Sequence, residues 1–231
     1  MDSLNALKIR LTANKYQNAD GKTRFKRQDD ILDEILELLY MAYGNGVWDA
    51  ADQLGLKDIT YDLEARDEFV NRTLKDGKNW RDRVLENLNG TAGTETSPQG
   101  KEQPTGASSS RASTDRGKQP QTPSTAKTES KTTNITGDPI ENIIRIVETE
   151  AHSDFNEGSL RKAASSGKAR YKRWSTMLDD RVRDTHFYLQ GMQVPIDASF
   201  YTYDGDSAYA PGGFFLAENN VNCRCTLKYE Q

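Results

Sequence analysis

Cys223 and Cys225 are the chain's two cysteines, one residue apart near its C-terminal end, with Arg224 between them. Its two histidines are His152 and His186. Thiolate and imidazole are ligands that zinc favours, held in a tetrahedral set. If VNCRCTLKYE is a closing strand, side chains two residues apart point to one side, and both sulfurs face one ion together with His186. That set supplies three ligands, and His152 or Asp184 is the candidate for a fourth. The same residues also have a plainer use: buried thiols pack as small hydrophobes, and His186 can hydrogen-bond a carboxylate such as Asp179 or Asp184. A nucleophile–base pair of His186 with either thiol, its pKa depressed by Arg224, is a third chemistry. The sequence shows no oxyanion hole and no third orienting group for it, so no catalytic residue is assigned. A disulfide is disfavoured, because an i, i+2 pair on a strand holds its Cα atoms near the upper limit for bridging.

Arg161, Lys162, Lys168, Arg170, Lys172 and Arg173, followed by Arg181 and Arg183, concentrate positive charge in a chain of net charge −4. Only Asp179 and Asp180 oppose them within that span. Such a stretch suits DNA phosphates or an acidic protein surface, or forms a solvated helix face. Asp179, Arg181, Arg183, Asp184 and Arg224 suit a fixed ion-pair network that locks the turn-rich region onto the segment carrying Cys225.

Three blocks of composition must position these groups. Residues 1–90 read as a helical domain. Ile31, Ile35, Leu38, Leu39, Tyr43, Val47, Ala50 and Leu54 recur at helical spacing, with Asp29 or Asp30 as cap, Gly55 as stop, and Gly44 and Gly46 as sites of close packing or a kink. Asp62 caps a second helix, and a third follows Gly77. Residues 91–137 are rich in Ser, Thr, Pro, Gly and Gln and cannot bury enough apolar surface to order themselves, so they read as a disordered linker. Residues 138–231 read as a small domain with short strands, and the whole as α+β. Asp138-Pro139 opens a helix, with Ile140, Ile143, Ile144, Val147, Ala151 and Phe155 as its apolar stripe. Gly158 and Gly167 bracket a short basic helix. YKRWSTMLDD reads as a strand with Trp174, Thr176 and Leu178 on one face.

The last block carries an ordered set of residues: Thr149-Glu150, Asn156-x-Gly158, Lys172-Arg173-Trp174, Asp179-x-Arg181-x-Arg183-Asp184-x-His186, Leu189-x-Gly191 and Asn222-Cys223-Arg224-Cys225-Thr226. It resembles the phage Mu protein F-like family, the minor head proteins of tailed double-stranded DNA phages, over about residues 140 to 229. One position departs from that pattern: Glu148 stands where the family usually has Arg before the Thr-Glu pair, and Arg145 lies one turn earlier. The resemblance implies a few-copy head protein at the portal vertex. Its partners would be the portal protein, scaffold or major capsid protein, and packaged DNA. It would reside in the virion interior, and in the host cytoplasm during assembly. It implies no enzymatic activity.

Composition agrees with such a role. Mean hydropathy is −0.84, low for a chain that is all core. No apolar run is long enough to span a bilayer, and MDSLNALKIR lacks the apolar core of a secretion signal, so a protein made and used inside a cell is expected. The rival function is a metal-dependent nuclease built on Asp179, Asp180 and Asp184 near His186, though their spacing matches no metallonuclease pattern.

Overall fold

The computed structural model describes residues 21–74, 76–89 and 138–231. The expected linker, residues 91–137, lies outside the described residues. Helix α1 (Gly21–Gln53) is followed by α2 (Leu63–Val70), α3 (Trp80–Leu88) and α4 (Pro139–Ser165). Strand β1 (Tyr171–Ser175), helix α5 (Asp184–Leu189), β2 (Gln193–Pro195), β3 (Phe200–Tyr201), β4 (Ser207–Ala208), α6 (Ala217–Asn220) and β5 (Thr226–Glu230) complete the order. The class is α+β, as the composition blocks suggest.

Local chemistry fixes the helix starts. The Asp62 side chain accepts from the Ala65 N–H, Asn79 and Asp82 form a reciprocal capping box, and Asp138 accepts from the Ile140 N–H ahead of Pro139. Helix α1 starts earlier than Asp29 or Asp30 would have it: it begins at Gly21, and both aspartates lie exposed on its surface. Nothing in the Lys- and Arg-rich turns before them opposes helix formation.

Helices α1 and α4 form the spine. Their N-terminal halves share one core with α2 and α3, built from Ile31, Ile35, Leu39, Val70, Trp80, Val84, Ile140, Ile143 and Val147. Their C-terminal halves share a second core with the sheets, through Ala50, Leu54, Leu160, Ala163, Trp174, Leu189, Phe200, Phe214 and Leu227. The sequence changes character at residues 90 and 138, but the cores do not divide there: Ala50, near the end of α1, and Leu54, just after it, pack in the core beneath the C-terminal strands. The Gln53 side chain completes the joint, donating to the Leu227 carbonyl and accepting from the Tyr229 N–H of β5. It thereby satisfies backbone groups of an edge strand.

Helix α4 does not stop at Gly158; it runs on to Ser165. Gly158 is where the main chain of Tyr43 on α1 touches α4, and Gly46 is where α1 touches the main chain of Phe155. The two glycines are a reciprocal close approach, and neither is a break.

Strand β1 is central in an antiparallel sheet of order β2-β1-β5, with Trp174 opposite Leu227 and Lys172 opposite Tyr229. The expected strand through Leu178 is shorter than the alternation suggested. It ends at Ser175, and Leu178 adopts φ 55° with its side chain exposed. Strands β3 and β4 form a separate two-stranded ribbon. No helix among the described residues is long and apolar enough to cross a membrane.

Candidate metal centre and its supports

His186, Cys223 and Cys225 meet. The imidazole Nδ1 lies 3.6 Å from the Cys223 sulfur and 3.4 Å from the Cys225 sulfur. All three residues are buried. His186 sits on α5, and the cysteines lie just before β5, which begins at Thr226, so the closing strand is shorter than expected and leaves both cysteines outside it. Asn222, at φ 57°, makes the left-handed turn that brings this segment back under α5. The imidazole stacks on Phe214 at 5.3 Å and meets the edge of Trp174 at 5.6 Å. Its Nε2 is buried with no hydrogen-bond partner among the described residues.

Neither candidate for a fourth ligand joins this group. Among the described residues, the one cluster of metal-capable side chains is His186, Cys223 and Cys225, with ligand atoms within 4.8 Å of one another. His152 instead shares a contact of 3.1 Å with the Asn156 amide, and Asp184 stands exposed in the first turn of α5. Asp179 and Asp180 are also outside it, so among the described residues no carboxylate joins His186. The two thiols are unlike: the neighbouring Cys223 thiol and His186 hold the Cys225 thiol well below its ordinary value, whereas Cys225 and burial raise Cys223.

Around the cluster, the motif residues act as fasteners. Arg224 grips Asp179 with two hydrogen bonds of 2.8 and 2.6 Å, and these hold the Asp179 carboxyl below the usual carboxylate range. Arg181 lies at 3.8 Å from the same carboxylate. The expected five-residue ion-pair network is therefore smaller: Arg183 donates to the Val221 backbone carbonyl, and among the described residues no such pair brings in Asp184. Gly191, at φ 75°, turns the chain after α5, and its N–H donates to the Trp174 carbonyl at 2.9 Å. Buried Asn156 donates to the carbonyls of His152 and Cys225, which ties α4 to the cysteine segment.

Glu150 belongs to a second cluster that the sequence did not reveal. Arg72, in the turn after α2, donates to Glu150 at 2.8 Å, to Asp154 at 3.2 Å and to Ser153 at 3.0 Å. Ser153 in turn donates to the Gly212 carbonyl. The guanidinium on Glu150 thus comes from a different helix pair; Arg145 bonds Asn142 one turn back on α4. Thr149 lies beside it with a buried hydroxyl. Burial raises the Asp154 carboxyl to about 8 despite Arg72, because one guanidinium serves two buried carboxylates. Asp206 is the other unforeseen anchor. It accepts from the N–H groups of Ser207, Phe215 and Leu216 and from Asn219. Burial works to raise its pKa, but these donors outweigh it and hold the carboxyl low. No motif singled out Arg72 or Asp206, since each works through partners far away in sequence.

The basic stretch does not form one surface. Lys162 is buried and donates to the Thr60 carbonyl at 2.8 Å. Lys172 is also buried, on the Trp174 face of β1 beside the rings of Phe200 and Tyr209. Both are therefore removed from any surface contact with DNA or a partner. Arg161 pairs with Glu157, Arg173 with Glu230, and Lys168 reaches the Leu54 carbonyl. Arg170 is exposed.

Three comparisons bear on identity. The family model described as Phage Mu protein F like protein matches residues 81–228. The Minor head protein GP7 of Bacillus phage SPP1 is 35% identical over 83 residues, covering 35% of this chain and 27% of that protein. An NAD(+)--arginine ADP-ribosyltransferase, EFV, of Enterococcus faecalis (strain ATCC 700802 / V583) is 37% identical over 86 residues, 36% of this chain and 18% of that protein. The chain therefore spans about a quarter or less of the length of these curated relatives. No solved structure gives a significant match. The family match runs over more than half of the chain and contains the full set from Thr149 to Cys225, and on that ground the chain belongs to the Phage Mu protein F-like family.

Proposed function

We propose that this chain is a minor head protein of a tailed double-stranded DNA phage or prophage. In this reading it is built into the head during assembly, in the host cytoplasm, and is carried in the virion interior. It acts at the portal vertex, binding the portal protein and touching scaffold, major capsid protein or packaged DNA during packaging or ejection. It works by binding, without catalysis. The observation that carries the proposal is the family match over residues 81–228, supported by the resemblance to a phage minor head protein. The ADP-ribosyltransferase activity named for the enterococcal relative is not carried over, because the match covers 18% of that protein.

With Lys162 and Lys172 buried, a DNA contact would fall to Lys168, Arg170 and the paired arginines Arg161 and Arg173.

The test is to fractionate heads from an induced phage and probe them for the chain, then to co-express it with the portal protein. The expected result is a few copies per head and co-elution with portal. Absence from heads, with no binding to portal, scaffold or capsid protein, would sink the proposal. A mobility shift on duplex DNA that weakens as salt rises would assign the DNA contact.

A further inference from the structure

We infer that His186, Cys223 and Cys225 hold one zinc ion, with a water as fourth ligand. In a tetrahedral site with Zn–S near 2.3 Å and Zn–N near 2.0 Å, each S···N separation is about 3.5 Å. The two observed separations are 3.6 and 3.4 Å. Both nitrogen–sulfur separations fit zinc ligation, all three ligand atoms lie within 4.8 Å of one another, and they converge from two elements far apart in sequence.

The surroundings suit zinc in particular. The donor set is soft, two sulfurs and one imidazole nitrogen, and no carboxylate joins the group, which disfavours magnesium and calcium. Two thiolates cancel the charge of the dication, so the ion can sit beside Trp174, Leu189 and Phe214 without leaving a net buried charge. Next to the three ligands lies a cavity of about 10 Å³, lined also by Met177, Arg181, Val182, Arg183, Asn222 and Arg224. That is about the room one water needs.

The ion would join α5 to the segment entering β5, alongside the Asn156 hydrogen bond to the Cys225 carbonyl. It is a clip across the end of the chain, holding the closing strand of the sheet. The inference stands independently of any role at the portal vertex.

The experiment is elemental analysis of full-length protein purified under reducing conditions, followed by chelation and cobalt(II) titration of the wild type. About one zinc per chain is expected, together with sulfur-to-cobalt charge-transfer absorption and tetrahedral d–d bands saturating at one equivalent. The C223S/C225S variant should hold no zinc, and H186Q should hold it several-fold more weakly. If the variants fail to fold, the wild-type cobalt spectrum still decides. A folded wild type without metal, and with no thiolate charge transfer on adding cobalt, would overturn the inference. A different stoichiometric metal would overturn the assignment to zinc.

Discussion

Gly158 of α4 lies against the main chain of Tyr43 of α1, so closely that a Cβ there would occupy the space of the Tyr43 carbonyl oxygen. Gly46 meets the main chain of Phe155 in the same way from the other side. Both obstacles are backbone, which no side-chain rotation can clear. The spine of the molecule therefore depends on two missing methyl groups.

Gly46→Ala and Gly158→Ala should each lower stability by about 1 to 3 kcal/mol or more, as overpacking against fixed atoms does. Gly44 is the control. A Cβ there would meet only the Tyr61 hydroxyl at 3.6 Å, an ordinary contact. Gly44→Ala should leave stability unchanged or raise it by up to about 1 kcal/mol through helix propensity. Urea unfolding of the three variants separates close packing from a general intolerance of change in α1 and α4.

Asp154 gives the protein a pH dependence of known sign. Its folded pKa of about 8 lies above the ordinary carboxylate value, so the folded state binds the proton more tightly. The resulting stability is fully present below about pH 4 and is lost as pH rises towards 8. Asp154→Asn, which keeps the shape of the neutral acid, should flatten the stability profile across that window. Unfolding midpoints at pH 5 and pH 8.5 provide the check, and an unchanged slope in the variant would refute the assignment.

Arg72→Ala removes the one guanidinium shared by Glu150 and Asp154, whose side chains are 8% and 1% exposed. Leaving buried carboxylates unpaired should cost about 3 kcal/mol or more, with the larger loss at high pH. Unfolding of the variant at two pH values tests this. A loss equal at both would mean that Arg72 acts through packing alone.

Lys172 carries a buried amino group with no hydrogen-bond partner among the described residues, and burial lowers its pKa to about 8. The charged form is therefore penalised at neutral pH. Lys172→Met should stabilise the fold by about 1 to 3 kcal/mol at pH 7 by removing an unpaired polar group. The gain should shrink as pH rises from 8 to 10, where the unfolded lysine still holds its proton and the folded one has lost it. A destabilised variant would mean that the amine has a polar role.

The Asp179–Arg224 pair should behave differently, because both side chains are about one-third exposed, at 35% and 34%. Asp179→Asn should leave the unfolding midpoint nearly unchanged, while raising hydrogen exchange in the segment from Asp179 to Arg183. The effect should fade in high salt, as expected of an exposed pair.

Short-range chemistry was legible in the sequence. The spacing of Ile31, Ile35 and Leu39 and of Ile140, Ile143 and Val147 marked the two long helices, and Asp62 and Asp138-Pro139 marked two helix starts. Each of those signals acts within one or two turns of backbone. The same holds for the order of residues from Thr149 to Cys225, which identified the family. Tertiary structure decided what long-range contact controls. It placed Gly158 inside a continuous helix, because the reason for that glycine is a carbonyl more than a hundred positions away. It took Lys162 and Lys172 out of a charged stretch that looked uniform, because burial depends on which face meets α1 or the ribbon. It brought Arg72 to Glu150 and His186 to the two cysteines. A pattern along the chain can name such groups, but only the packing of α1, α4 and the sheet fixes the distances between them.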